Sequence, residues 1–203
     1  MKARVMFSGG KDSALSAILL DPYFDVELVT CTFSLVDVGN IARKVADELG
    51  FAHSVVELKC SVLDEALEMA VEDNFPKNAI NHIHSHALEK IAACGSVDMI
   101  VDGIRRDDRV PRMDISRLRS IEDRYGVHCA SPLQGFGRAA VDLMVCEHLE
   151  VEEGLSDRIS KADYETELRY LIRQEYDDEK VLSIFPKHVQ SRVLRKIKEK
   201  TTN

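Results

Sequence analysis

Ser8-Gly9-Gly10-Lys11-Asp12-Ser13 is the stretch on which the reading of this chain turns. Before it lies Ala3 to Phe7, an apolar run with the length of a short strand. After it Ser13 to Leu20 carries Leu15, Ile18 and Leu19 at helical spacing. Adjacent glycines allow strained backbone angles and close approach to a ligand. The helix start beyond them aims free N–H groups and a partial positive charge at an anion. Ser8 and Ser13 add hydroxyls and Lys11 adds a charge, so the loop suits phosphate. It is not a Walker loop, because Asp12 follows Gly10-Lys11 and Val5 stands where the first glycine belongs. An acid inside a phosphate loop repels its ligand unless a cation lies between them, so Asp12 implies Mg²⁺ bridging to phosphate oxygens. The bland alternative, a tight turn with an Asp/Ser helix cap, is disfavoured by the strand-to-helix placement.

Outward from the loop the chain alternates strand and helix. Val26 to Val36 reads as a second strand, Gly39 to Leu49 as a helix stopped by Gly50, and Ser54 to Leu58 as a third strand. Ser61 to Ala70 and Asn78 to Ala93 read as helices on either side of Pro76. Val97 to Val101 is a fourth strand and Val127 to Ser131 a weaker fifth. Strands separated by helices imply right-handed crossovers and a parallel sheet, with ligands at the carboxyl ends of the strands. From Ala139 onward the pattern changes to helix only. An α/β domain over 1–138 and a helical extension over 139–203 are expected, the latter including an amphipathic helix from Asp163 to Tyr176 and a basic terminal helix from Pro186. The acidic run 147–179 and the basic run 187–200 read as solvated helix faces.

Composition narrows the class. The 203 residues carry 27 basic and 35 acidic side chains, a net charge of −8, which weighs against a dedicated nucleic-acid module. The longest run without Asp, Glu, Lys or Arg, Tyr125 to Gly137, contains Pro132 and three glycines and cannot be a spanning helix. No secretory signal precedes Lys11, and no membrane contact is expected. The five cysteines are widely spaced with no Cys-x-x-Cys, which suggests a reducing, cytoplasmic compartment and no structural zinc.

With these residues in place, Ser8-Gly9-Gly10-Lys11-Asp12-Ser13 resembles the SGGxDS loop of the PP-loop ATP pyrophosphatases, a family in the adenine nucleotide alpha hydrolase-like group. The resemblance covers roughly residues 1–137. It implies a Rossmann-like, three-layer α/β/α sandwich with a five-stranded parallel sheet. It also implies ATP and Mg²⁺ as cofactors, and cleavage of ATP between its α and β phosphates. The resulting AMP activates an acceptor, and a nitrogen or sulfur nucleophile then displaces it. By that resemblance Ser8, Gly9, Gly10, Asp12 and Ser13 hold the pyrophosphate. Asp12 and Lys11 are candidate catalytic residues, and the end of the second strand, Thr32 within Thr30 to Ser34, lies by the adenine.

Asp102-Gly103-Ile104-Arg105-Arg106-Asp107-Asp108-Arg109 follows the fourth strand and is placed to face the glycine loop. Gly103 frees the backbone, Asp107 or Asp108 are candidates for catalysis, Asp108 with Asp12 for Mg²⁺, and Arg105 and Arg106 for an anionic substrate. It is similar to the second motif of the same family; a solvated loop of mixed charge is the alternative. Arg105, Arg106, Arg109, Arg112, Arg117, Arg119 and Arg124 share their window with five acids, so RNA is permitted but not indicated. His82, His84 and His86 do not converge on a helix: His84 borders the apolar face while His82 and His86 lie opposite. In several family members the start of this helix borders the substrate, which makes Asn81 and His82 substrate candidates.

The expectation is an ATP-dependent enzyme acting on an unidentified acceptor, with tRNA an allowed but secondary partner. The missing Cys-x-x-Cys and the acidic charge favour amide or amine ligation over tRNA sulfur transfer. No glutaminase domain is expected in this chain, and the basic terminus suits either a homodimer contact or RNA. A non-catalytic adenine-nucleotide-binding regulatory protein is the alternative, and Asp12 argues against it.

Overall fold

A computed structural model describes residues 1–109, 112–156, 159 and 161–197. Five strands form one parallel sheet: β1 Lys2–Met6, β2 Asp25–Thr32, β3 Ala52–Glu57, β4 Met99–Val101 and β5 His128–Ala130. Their order is β3-β2-β1-β4-β5, so the chain reverses direction across the sheet between β1 and β4. In open α/β sheets that reversal opens the ligand crevice.

Side chains alternate across β1 and supply two cores. Ala3, Val5 and Phe7 face α1 Lys11–Leu20, α2 Val38–Leu49 and α6 Arg138–His148. On the other face Val29, Cys31 and Ile100 pack with α3 Cys60–Asp73, α4 Lys77–Ala93, α5 Ile115–Tyr125 and α7 Tyr164–Glu175. Both cores are closed off from solvent: Val5, Leu15, Leu28, Ile83, Ile91 and Ile100 are fully buried. Truncating such a residue to alanine costs about 2–5 kcal/mol. The helix ends follow local chemistry. Gly50 closes α2 at φ 77°, and Asp114 caps α5 by accepting from the Ser116 N–H at 2.7 Å. This is the expected α/β/α sandwich; α5 is an addition within the arginine-rich window.

The C-terminal part departs from the helix-only expectation. Besides α7 and the short α8 Asp178–Ile184, it holds β6 Leu149–Leu155 and β7 Val189–Lys196, paired antiparallel. The basic terminal helix is thus a strand as far as Lys196; residues 198–200 of that run lie outside the described residues. Period-two alternation explains it: Leu149, Ser191 and Val193 point inward while charged neighbours point out. The two charge runs also meet across the strands. Arg195 pairs with Glu150 at 2.7 Å and Arg192 with Glu152 at 2.8 Å, contacts 45 and 40 positions apart. No described helix is long and apolar enough to cross a membrane.

Candidate functional site

The glycine loop sits at the chain reversal. Gly9 takes φ 74°, and Gly10 starts α1 in an extended conformation with no side-chain cap, leaving the first amides of α1 free to meet an anion. Gly103, just past β4, is forced by proximity: a Cβ there would stand 2.8 Å from the Ser13 nitrogen and 3.0 Å from the Asp12 carbonyl carbon. The second motif therefore touches the start of α1.

Above both lies a cavity of about 610 Å³. Its wall includes Ser8, Lys11, Asp12, Ser13, Gly103, Arg105 and Asp108. Asp12 Oδ1 is buried with no hydrogen-bond partner among the described residues. Burial pushes the Asp12 carboxyl above its usual range, reinforced by Asp108 and opposed by Arg105, Lys11 and Lys161. A buried carboxylate with an open oxygen is a site for a cation, and Asp12 fits Mg²⁺ on that ground. Asp108 fits less well. Its carboxylate accepts from the Arg105 backbone N–H at 2.8 Å and from Arg105 Nη2 at 2.6 Å, so it holds the arginine. Arg105, only 9% exposed, also approaches Asp12 Oδ2 at 3.5 Å.

Other expected residues are placed elsewhere. Lys11 lines the cavity, but Nζ is held by Asp142 at 2.7 Å and Glu153 at 3.2 Å, making it a tie to α6 and β6. Asp107 and Arg106 face solvent and pair with each other at 3.2 Å; Asp107 also accepts from the Arg138 N–H. Thr32 is buried outside the cavity wall and donates to Glu167 Oε1 at 2.9 Å. Asn81 accepts from the Arg112 N–H, and His82 pairs with Glu65 at 3.0 Å on the outer face of α4. Ser13 Oγ donates to the Gly10 carbonyl, within the helix start.

Several wall residues escaped the sequence reading. His84, 2% exposed, binds the Tyr164 hydroxyl through Nδ1 at 2.7 Å, while its Nε2 stands 3.7 Å from Asp102 Oδ2 with no hydrogen bond among the described residues. Burial pushes the Tyr164 hydroxyl well up, so it stays neutral. Ala162 N–H donates to the Ser8 carbonyl at 3.0 Å, Val193 N–H donates to the Gly9 carbonyl at 2.9 Å, and Lys161 joins the cavity wall. Glu167 fixes this arrangement: fully buried, it accepts from Thr32 Oγ1, the Phe33 N–H at 2.9 Å and the Leu35 N–H at 3.0 Å. The sequence signals for them are His84 at the edge of an apolar face and the amphipathic pattern from Asp163 to Tyr176. Of the five cysteines only Cys31 lines the cavity, and burial pushes its thiol up to about 12, far from the thiolate of a sulfur carrier.

Known proteins resemble the whole chain. The uncharacterized protein MJ0690 of Methanocaldococcus jannaschii is 34% identical over 200 residues, 98% of either chain. The crystal structure of a predicted subunit of tRNA methyltransferase from the same organism has a TM-score of 0.88 at 34% identity, over 98% of this chain and 100% of that one. The U34-tRNA thiolase NcsA from Methanococcus maripaludis, solved with its [4Fe-4S] cluster, is more distant. It has 15% identity and a TM-score of 0.49, over 91% of this chain and 69% of that one, a level that says nothing about chemistry. A family profile matches residues 1–195, and by that match and the 34% identity the chain belongs to DUF7411, described as a family of unknown function.

Proposed function

We propose that this chain is an ATP pyrophosphatase of the PP-loop kind. ATP lies in the 610 Å³ cavity with its β and γ phosphates on Ser8 to Ser13. An acceptor oxygen attacks the α phosphorus, the bond to the β-phosphate oxygen breaks, and pyrophosphate leaves. A nitrogen or sulfur nucleophile then displaces AMP. Mg²⁺, when bound through Asp12, would neutralise charge on the phosphate oxygens. The chain's own groups do the rest: the free amides at the start of α1 orient the phosphates, Gly103 lets the β4 loop close against that helix start, and Arg105 holds Asp12 and Asp108 in register. The carrying observation is the open, buried Oδ1 of Asp12 beside an uncapped helix start at the chain reversal.

His84 and Asp102 suit the acceptor end, since both line the cavity and leave a 3.7 Å gap that a donor or acceptor group can bridge. RNA is the first acceptor to try. The relative of 34% identity is named a predicted tRNA methyltransferase subunit, and Arg106, Arg109 and Arg112 are exposed beyond β4. A nucleotide-binding regulator without turnover is the second reading, favoured by Asp108 being spent on Arg105.

The test is product identity. Protein, ATP and Mg²⁺ are incubated with total tRNA or with small-molecule fractions, beside Asp12→Asn. AMP and pyrophosphate in equal amounts, absent from the variant, support the enzyme. ADP and phosphate that depend on Asp12 would sink it. Tight ATP binding without cleavage in any fraction supports the regulator.

A further inference from the structure

We propose that Lys161, and not Lys11, is the cation that grips the β and γ phosphates over the glycine loop. The inference rests on the nucleotide reading above and deepens it. Lys11 carries the only positive charge within the loop sequence, yet its ammonium is already shared between Asp142 and Glu153. Arg105, the nearest arginine in the wall, is committed to Asp108 and Asp12. The two motif cations that line the cavity, Lys11 and Arg105, are therefore neutralised by the protein's own acids, whereas a triphosphate needs an uncommitted one.

Lys161 supplies it from more than a hundred residues downstream. A Cβ placed on Gly10 would stand 3.6 Å from both its Cε and its Nζ, so the side chain lies directly against the loop. Its backbone cannot drift, because Ala162 N–H is bonded to the Ser8 carbonyl and Thr166 Oγ1 donates to the Lys161 carbonyl at 3.2 Å. The residue lines the cavity, its charge reaches Asp12, and no carboxylate among the described residues pairs with it. Gly10 is extended, with φ −81°, and a side chain on it would stand 3.3 Å from Ser8 Oγ and in ordinary contact with the lysine stem, so loop and stem lie side by side. The C-terminal part of the chain becomes a component of the phosphate site, fastened there by Glu167 and by Val193 on Gly9.

The experiment is calorimetric binding of three probes to the full chain: ATP with Mg²⁺, inorganic pyrophosphate, and AMP. Lys161→Gln is expected to weaken ATP and pyrophosphate about tenfold or more while leaving AMP within about twofold. Lys161→Arg should recover part of the loss, and Lys11→Gln should lose less than Lys161→Gln. Thermal midpoints of both Lys161 variants should match the wild type, which separates a lost contact from a lost fold. Lys161→Gln binding ATP and pyrophosphate like the wild type overturns the assignment and leaves the nucleotide reading standing. An equal loss of AMP also overturns it, since that marks a general structural effect. Wild-type protein that binds neither ATP nor pyrophosphate overturns both.

Discussion

Gly103→Ala is the sharpest single perturbation of the site. The added methyl would sit 2.8 Å from the Ser13 nitrogen and 3.1 Å from its Cα, both backbone atoms that cannot swing aside. Restoring an ordinary 3.4 Å contact requires the start of α1 to retreat by about 0.6 Å. Overpacking of this kind costs about 1–3 kcal/mol. For a chain of this size about 2 kcal/mol lowers Tm by roughly 4–8 °C. The same displacement exceeds the ~0.5 Å to which binding groups must be held, so ATP affinity should fall by about tenfold. Gly135→Ala is the control: nothing lies within 4 Å of its methyl, and Tm should stay level or rise slightly. The assays are thermal unfolding and calorimetric ATP titration. Equal Tm and equal ATP affinity for the two variants would refute the close approach of the β4 loop to the glycine loop.

Three further outcomes are expected. Asp12→Asn should lose ATP–Mg²⁺ binding about tenfold or more while the ligand-free protein becomes no less stable. Burial raises the Asp12 carboxyl, so its contribution to stability is present at low pH and is lost as pH rises through its folded value; the variant's advantage in urea should accordingly shrink on acidification. Glu167→Ala takes the partner from the buried Phe33 amide and the buried Thr32 hydroxyl and should cost about 3 kcal/mol, lowering Tm by roughly 6–12 °C; a loss no larger than that of Glu175→Ala would contradict its role. Glu27 is lowered to about 2 by hydrogen bonds from Ser54, Lys2 and Arg4 that outweigh its desolvation. Its stabilisation is complete above the usual 4.5 and lost as pH falls towards 2, so Glu27→Gln should cost about 1 kcal/mol at pH 7 and progressively less over that window in urea titrations.

The α/β half is legible because its signals are local. Gly9-Gly10 ends one period and starts another, Pro76 and Gly50 punctuate helices, and β4 is apolar throughout. Gly103 is legible as a site glycine for the same reason, standing next to a strand end. What is hidden depends on partners far along the chain. Lys11 looks like a phosphate ligand until Glu153 is found 142 positions away, and Thr32 looks open until Glu167 is found 135 positions away. The acidic and basic runs look like two solvated helices because nothing in either run shows that Glu150 faces Arg195. Without that pairing, neither Lys161 nor the backbone of Val193 can be assigned to the glycine loop. His84 is an intermediate case: helical spacing places it on a boundary, and only the tertiary fold buries it against Tyr164.

The most direct measurement is a crystal structure with α,β-methylene-ATP and Mg²⁺, an analogue that cannot be cleaved between its α and β phosphates. The account predicts the β and γ phosphates over Ser8 to Ser13, against the first amides of α1, with the cation on Asp12 and the Lys161 ammonium on phosphate oxygen. A nucleotide bound outside this cavity, or with its base on the glycine loop and its phosphates elsewhere, would contradict it.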